Sequence, residues 1–192
     1  RPTQDRSWLF PVLGAVFVAF AASVWLRGID ARAEAGWIGL IAMAWSVPAF
    51  FSLRSYAPPW WALMLSAFVV RVLFVGVEPW LSDDVFRYLA EGRALVAGEN
   101  PFTVPPAEMT SIPDSLRLRV NHPDLPTLYP PLAQVWFRLM AVCGGTVSVA
   151  QGLGVGVDLA VVVGIARLSD RRFALLYALH PLGPLEVVLG AH

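Results

Sequence analysis

The stretch that decides the fold is "SWLFPVLGAVFVAFAASVWL", residues 7–26, which contains no charged side chain. An α-helix rises about 1.5 Å per residue, so about 20 residues cross the hydrocarbon core of a bilayer. Residues 35–53 form a second uncharged run, and residues 55–77 form a third that only Arg71 interrupts. The sequence therefore predicts an integral membrane protein.

The composition of the whole chain favours the same class. Hydrophobic residues make up 57% of the sequence and charged residues 15%, with a mean hydropathy of +0.61. These values lie outside the range of soluble domains. The first run is too long for the apolar core of a signal peptide, and more apolar runs follow it. Because the chain starts with arginine and stops inside an apolar run, we expect a piece of a longer protein.

The distribution of arginine residues predicts the topology. If the N terminus is cytoplasmic, three spans place residues 78–146 outside, and a fourth returns "RLSDRR", residues 167–172, to the cytoplasm. Most arginines near the span ends then lie inside, as the positive-inside rule expects. We predict one transmembrane domain. Its spans lie at about 8–26, 35–53, 57–77, 147–167 and 173–190.

Residues 78–146 differ from the rest of the chain. In the segment 82–97, charged and apolar residues fall on opposite faces of a helix, which predicts an interfacial helix with its charged face toward water. Prolines break the loop that follows. The apolar segment 131–145 is too short to span and contains Arg138, so we predict a second interfacial helix there. This outer loop is expected to be an ordered cap over the membrane.

Three quoted segments together resemble a known superfamily. They are "SDDVFRYLAEGRALVAGENPF" (82–102), "NHPDLPTLYPPLAQ" (121–134) and "HPLGPLEVVLGAH" (180–192). Their order and placement resemble the GT-C superfamily of membrane glycosyltransferases, in particular bacterial mannosyltransferase-like members that use polyprenyl-phosphate sugars. The resemblance implies an all-α, GT-C-like multispan bundle with two juxtamembrane amphipathic helices. Many members have one span before the acidic loop and ten or more in total, whereas this sequence has three and about five.

The resemblance also implies a reaction. A mannose or another hexose would pass from a polyprenyl-phosphate donor to an extracytoplasmic glycan or lipid acceptor, with a loop carboxylate as general base. The related pattern places the acid four residues before an aromatic residue, so we expect Asp84 to be the base and Asp83 to assist. No cofactor is expected, a divalent metal is left open, and the partners are membrane lipids and substrates rather than nucleic acid.

Candidate substrate contacts come from the same segments. The growing charge on a lipid-phosphate leaving group needs cations, and Arg87, Arg93 and His122 are the candidates, with Arg117 and Arg119 as further ones. The resemblance implies additional substrate contacts at Tyr88, Glu91, Asn121, Tyr129, Gln134 and His192.

Each candidate also has a structural interpretation. With Ser82 as N-cap, Asp83 and Asp84 would stabilise the first turn of any helix. Arg87 can pair with Asp83 or Glu91 at a spacing of four residues. Arg117 and Arg119 can be solvated loop charges, and His122 can be a loop hydrogen-bonding residue.

The alternative classes are a multispan transporter and a non-catalytic membrane scaffold. A transporter would explain ionisable groups inside apolar runs, namely Arg71, Asp158 and Glu186, which face either a cavity or each other. It leaves the large ordered loop unexplained. A scaffold explains the loop as a partner surface, but not the acids at its membrane edge.

Overall fold

The structure is a computed structural model that describes residues 58–79, 82–180 and 183–189, together with Gly14. The described residues are helical and contain no strand, which confirms the predicted all-α class for this part of the chain. Apart from Gly14, the spans predicted at 8–26 and 35–53 lie outside the described residues, and so does His192. The helices are α1 (Trp60–Val72), α2 (Asp84–Ala97), α3 (Asp114–Arg117), α4 (Pro131–Val142), α5 (Val147–Leu168) and α6 (Arg171–Leu179), followed by a π-helical segment (Gly183–Leu189).

Helices α1, α5 and α6 and the π-helical segment form a helix bundle. Its core consists of aliphatic side chains, among them Leu63, Val162 and Leu175, each with 0% exposure. Among the described residues, α5 alone is long and apolar enough to cross a membrane, with 22 residues and a mean hydropathy of 1.9. Helix α1 is apolar but has only 13 residues.

The last predicted span is not one regular helix. Helix α6 ends at Leu179, and His180 is extended with φ −67° and ψ 129°. The next residue in the sequence is a proline, which disfavours helical geometry in the residue before it. The π-helical segment begins beyond this point, at Gly183.

We call residues 82–146 the cap, because they form a second hydrophobic core beside the bundle. Helices α2 and α4 pack against each other, with Val85, Leu89 and Phe137 among the buried residues between them. Local sequence fixes their ends. Helix α2 stops at Gly98, whose φ of 87° is left-handed, and α4 begins with Pro131, whose fixed φ suits a first helical turn.

The prediction that the charged face of α2 points to water is wrong for two of its residues. Arg87 is 5% exposed and Glu91 is 0% exposed. The reason is that the loop after α3 folds back over this face and covers both side chains. Helix α2 is therefore buried inside the cap. The second predicted helix differs, because several apolar side chains of α4 remain exposed.

A buried amide side chain ties together three parts of the bundle. Gln151 of α5 accepts a hydrogen bond from the backbone N–H of Gly76 at 2.7 Å. Its amide donates to the carbonyl oxygens of Val77 at 2.8 Å and Val188 at 2.9 Å. Gln151 thus fixes the turn after α1 and the π-helical segment to the N-terminal half of α5.

Candidate functional site

The two adjacent acids lie at the start of α2, close to where the chain leaves α1. Asp83 is the N-cap residue and is exposed, one position later than the cap predicted at Ser82. The backbone N–H of Asp84 donates to Ser82 Oγ at 3.1 Å. Negative charge is favourable at this end of a helix. Both acids therefore contribute to helix stability whatever else they do.

Asp84 differs from Asp83 in being oriented by a distant residue. The side-chain amide of Asn121 donates to Asp84 Oδ1, across 37 positions of sequence. The carboxylate is half-buried. Within residues 58–79, 82–180 and 183–189, no hydrogen bond reaches Oδ2 of Asp84. One carboxylate oxygen is thus held in place while the other is available to a hydroxyl group.

An aromatic cluster lies behind the carboxylate. The rings of Tyr88 and Phe137 stack with 4.4 Å between centroids, and Tyr129 meets both rings edge-on at 5.1 Å and 5.3 Å. The hydroxyl groups of the two tyrosines are hydrogen-bonded to each other. Burial raises the pKa of Tyr88 and of Tyr129, and the nearby negative charge of Asp84 acts in the same direction. Both phenols therefore stay neutral at physiological pH.

Glu91 is the centre of a buried polar network about one helical turn beyond Tyr88. Its Oε1 accepts from Arg87 Nε at 2.8 Å. Its Oε2 accepts from Thr127 Oγ1 at 2.8 Å and from Gln134 Nε2 at 2.6 Å. Gln134 Nε2 also donates to Thr127 Oγ1 at 2.9 Å. The Glu91 carboxylate thus connects α2 to the loop before α4 and to α4 itself, and both of its oxygens accept hydrogen bonds.

Arg87 forms the predicted ion pair with Glu91, four residues later on the same helix, and does not lie open to solvent. Besides Glu91, its guanidinium donates to four backbone carbonyl oxygens of the loop that covers α2. The side chain is 5% exposed. In this arrangement Arg87 is a loop-organising residue, and a phosphate would have to displace these contacts to reach it.

The other predicted cations have different surroundings. Arg93 donates to the carbonyl oxygen of Gly145 at 3.0 Å. Arg117 pairs with Asp114 and donates to the carbonyl oxygen of Met109, so it holds its own loop. His122 is exposed and has a left-handed φ of 45°.

Arg119 is the predicted cation that lies nearest to the first turn of α2 on the surface. Its guanidinium carbon is 3.6 Å from the centre of the Phe86 ring. It also pairs with Glu78, the residue that follows α1 and its turn, and 46% of the arginine side chain is exposed. Arg119 therefore bridges the end of the bundle and the start of α2 while remaining accessible.

Two of the three ionisable groups in the apolar runs form a pair, whereas Glu186 is exposed. Arg71 and Asp158 make a buried ion pair between α1 and α5, and the Tyr177 hydroxyl donates to the same carboxylate. Arg71 also donates to the carbonyl oxygen of Ala178 at 2.7 Å. The sequence suggested a partner for Arg71 but did not single out Tyr177 or Thr127. Neither residue carries a sequence signal beyond a hydroxyl group near a helix.

Metal ligation has limited support in the described part of the chain. No group of three or more His, Cys, Asp or Glu side chains there is arranged to hold a metal ion. Asp83 and Asp84 are adjacent carboxylates, but no third ligand joins them among these residues.

Comparisons with protein-family models, with curated proteins and with solved structures give no match to this chain.

Proposed function

We propose that this chain belongs to a membrane glycosyltransferase that transfers a hexose from a polyprenyl-phosphate donor to an extracytoplasmic glycan or lipid acceptor. Asp84 is the general base. The cap lies outside a bacterial inner membrane, over a multispan domain whose further spans include residues 8–26 and 35–53.

One observation carries the proposal. The segments 82–102 and 121–134, which carry most of the resemblance and are separated by a proline-rich loop, come together around one carboxylate. Asn121 binds Asp84 directly, and Tyr129 lies against Tyr88. Two of the segments singled out on sequence alone therefore supply one site. A shared catalytic role requires such a meeting of segments, whereas a carboxylate that only caps a helix does not require it.

The available oxygen of Asp84 suits general-base catalysis. Its Oδ2 would accept the proton of an acceptor hydroxyl while the hydroxyl oxygen bonds to the anomeric carbon of the sugar. The bond between that carbon and the phosphate oxygen breaks, and the lipid phosphate leaves with the electron pair. Asn121 keeps Oδ1 occupied, so the two carboxylate oxygens are not equivalent. The neutral phenol of Tyr129 is placed to hydrogen-bond a sugar hydroxyl.

Arg119 is the preferred phosphate contact among the predicted cations. It is half-exposed at the junction between α1 and α2, where a lipid-linked phosphate would approach from the membrane. Its partner Glu78 is 66% exposed, so the phosphate can replace it at little cost, because exposed ion pairs contribute only about 0–1 kcal/mol. Arg87 would have to give up a full set of buried contacts instead.

The buried pair of Arg71 with Asp158 favours the enzyme over the transporter. These charges neutralise each other inside the bundle, so they need no substrate cavity to explain them.

The test compares Asp84→Asn with Asp83→Asn in the full-length protein, assayed for transfer of radiolabelled sugar from a polyprenyl-phosphate donor. The amide keeps the shape of the side chain and can still accept from Asn121. Loss of a general base costs about 10²–10⁴-fold in rate, so we expect that loss in Asp84→Asn. Asp83→Asn should retain most activity. Full activity of Asp84→Asn would refute the assignment, and loss in Asp83→Asn alone would exchange the two roles.

A further inference from the structure

We propose that Arg87 is a positioning residue that sets the orientation of the Asp84 carboxylate through Asn121. This inference rests on the proposed function, because it concerns the same base. It replaces the phosphate contact predicted for Arg87 with a different role in the same reaction.

All the N–H donors of Arg87 are engaged in hydrogen bonds. A guanidinium has five N–H donors. Nε binds Glu91 Oε1 at 2.8 Å, and Nη1 binds the carbonyl oxygens of Asn121 at 3.3 Å and His122 at 3.1 Å. Nη2 binds those of Leu125 at 2.6 Å and Pro126 at 3.0 Å. Every donor is used, so a phosphate would find none free.

Arg87 is itself held in place by its ion pair with Glu91. Its partner Glu91 is fully buried and is held from the other side by Thr127 and Gln134. A buried ion pair is tolerated when further hydrogen bonds satisfy both partners, and this condition is met here. The guanidinium is therefore held in one position, and the four carbonyl groups of the loop are arranged around it.

Asn121 connects these carbonyl groups to the proposed base, Asp84. The backbone oxygen of Asn121 binds Arg87, while the side-chain amide of the same residue binds Asp84. The next residue, His122, has φ 45°, a left-handed conformation that costs energy for a residue other than glycine. The contacts to Arg87 on both sides of this turn hold it. Without them, the Asn121 amide would lose its fixed direction toward Asp84.

Lysine cannot replace arginine in this arrangement. An ammonium group is a point charge with three donors, whereas the planar guanidinium reaches the Glu91 carboxylate and four carbonyl groups at once. Arg87→Lys keeps the charge next to Glu91 but releases part of the loop. This variant separates the charge of residue 87 from its geometry.

The test measures steady-state transfer by the full-length protein with a polyprenyl-phosphate hexose donor. Misplacement of a catalytic group by about 1 Å can cost about 10²-fold, so Arg87→Lys and Asn121→Ala should each lower kcat by about 10- to 100-fold with an unchanged KM for the donor. The double variant should be no slower than Asn121→Ala alone. Additive losses, or a raised donor KM with normal kcat in Arg87→Lys, would overturn the proposal.

Arg117→Lys is the matched control. Arg117 also binds a carboxylate and backbone carbonyl oxygens of the cap, but none of its contacts involves Asn121. We expect kcat close to that of the unmodified protein. A loss equal to that of Arg87→Lys would show that any loosening of the cap reduces the rate, and would also overturn the proposal.

Hydrogen exchange gives a second readout that needs no activity. The amide of Leu125 donates to the carbonyl oxygen of His122 within the clamped loop, and the amide of Thr127, at the end of that loop, donates to the carbonyl oxygen of Pro101. Exchange of both amides should accelerate in Arg87→Lys and not in Asn121→Ala. Unchanged exchange in Arg87→Lys would contradict the clamp. If Arg87→Lys does not fold, normal kcat in a stable Asn121→Ala protein would still refute the proposal. Failure of the proposed function is distinct, because it appears as an active Asp84→Asn protein.

Discussion

The carbonyl oxygen of Phe137 lies 2.1 Å from the place that a Cβ atom on Gly92 would occupy. Helices α2 and α4 therefore cross with backbone against backbone at this point. The close approach brings Glu91 within reach of Gln134 and stacks Tyr88 on Phe137. The geometry of the site thus depends on a residue that has no side chain.

Gly92→Ala should destabilise the cap. Alanine has a higher helix propensity than glycine by about 1 kcal/mol, but the added methyl group would collide with backbone atoms that cannot rotate away. Overpacking of this kind costs about 1–3 kcal/mol, so we expect a lower midpoint of thermal unfolding in detergent. Gly156→Ala in α5 is the control, because a Cβ there meets nothing within 4 Å. A stabilised Gly92→Ala protein would contradict the crossing.

The buried pair in the bundle should be costly to break and cheaper to remove. Arg71 is 0% exposed and Asp158 is 3% exposed. Leaving one buried charge unpaired costs about 3–5 kcal/mol, so Asp158→Leu should lower thermal stability strongly. The double variant Arg71→Met with Asp158→Leu should recover much of the loss. Equal stability of the single and double variants would argue against the pair.

Much of the fold follows from the sequence, because it depends on local signals. The two ends of α2 and the start of α4 follow from Ser82, Gly98 and Pro131, whose effects extend over one turn. The spacing of Arg87 and Glu91 also predicts their ion pair. The burial of that pair could not be predicted, since it results from a loop that starts more than 30 residues later in the chain. Periodicity along one helix contains no information about what covers it.

The candidate site likewise contains residues that local sequence can predict and residues that it cannot. The proximity of Asp84 and Tyr88 follows from their spacing of four residues on one helix, whereas the choice of Asp84 over Asp83 rests on the family resemblance. The contribution of Thr127 does not follow from local sequence, because a threonine between prolines has no pattern that points to a carboxylate 36 positions away. Its role becomes visible only when the loop is placed over α2.

The topology can be tested by labelling intact cells after Cys143→Ala removes the exposed native thiol. Both Ser111 and Ser169 are exposed, so a cysteine at either position is chemically accessible. We expect an impermeant maleimide to label Ser111→Cys and to spare Ser169→Cys until the membrane is permeabilised. The reverse pattern would exclude an external cap.

Helix α4 should contact lipid along one side. Four apolar side chains at helical spacing are exposed, with Leu132 at 81%, Val135 at 65%, Leu139 at 42% and Val142 at 67%. A fluorophore on Val135→Cys should be quenched by brominated lipids, whereas one on Ser111→Cys, an exposed position in the proline-rich loop, should be quenched less. Equal quenching at both positions would contradict an interfacial orientation of α4.

Stability should fall at alkaline pH in a way that depends on Tyr88. Burial raises the pKa of Tyr88 above the ordinary value of 10.0, so the folded protein keeps a proton that the unfolded chain loses above that pH. Because the unfolded state then binds fewer protons, stability is unaffected below about pH 10 and decreases above it. Tyr88→Phe retains the ring and should flatten this decrease in the thermal midpoint. The same slope in both proteins would rule out Tyr88 as its source.

The connection between α4 and α5 consists only of residues 143–146, in which Gly144 and Gly145 have φ of 127° and 61°. So tight a turn lets neither helix slide along the other. If Asp84 reacts as proposed, its height above the bilayer is then fixed by the end of α5. Lengthening the polyprenyl tail by further isoprene units adds hydrocarbon below the phosphate and leaves the sugar at the same level.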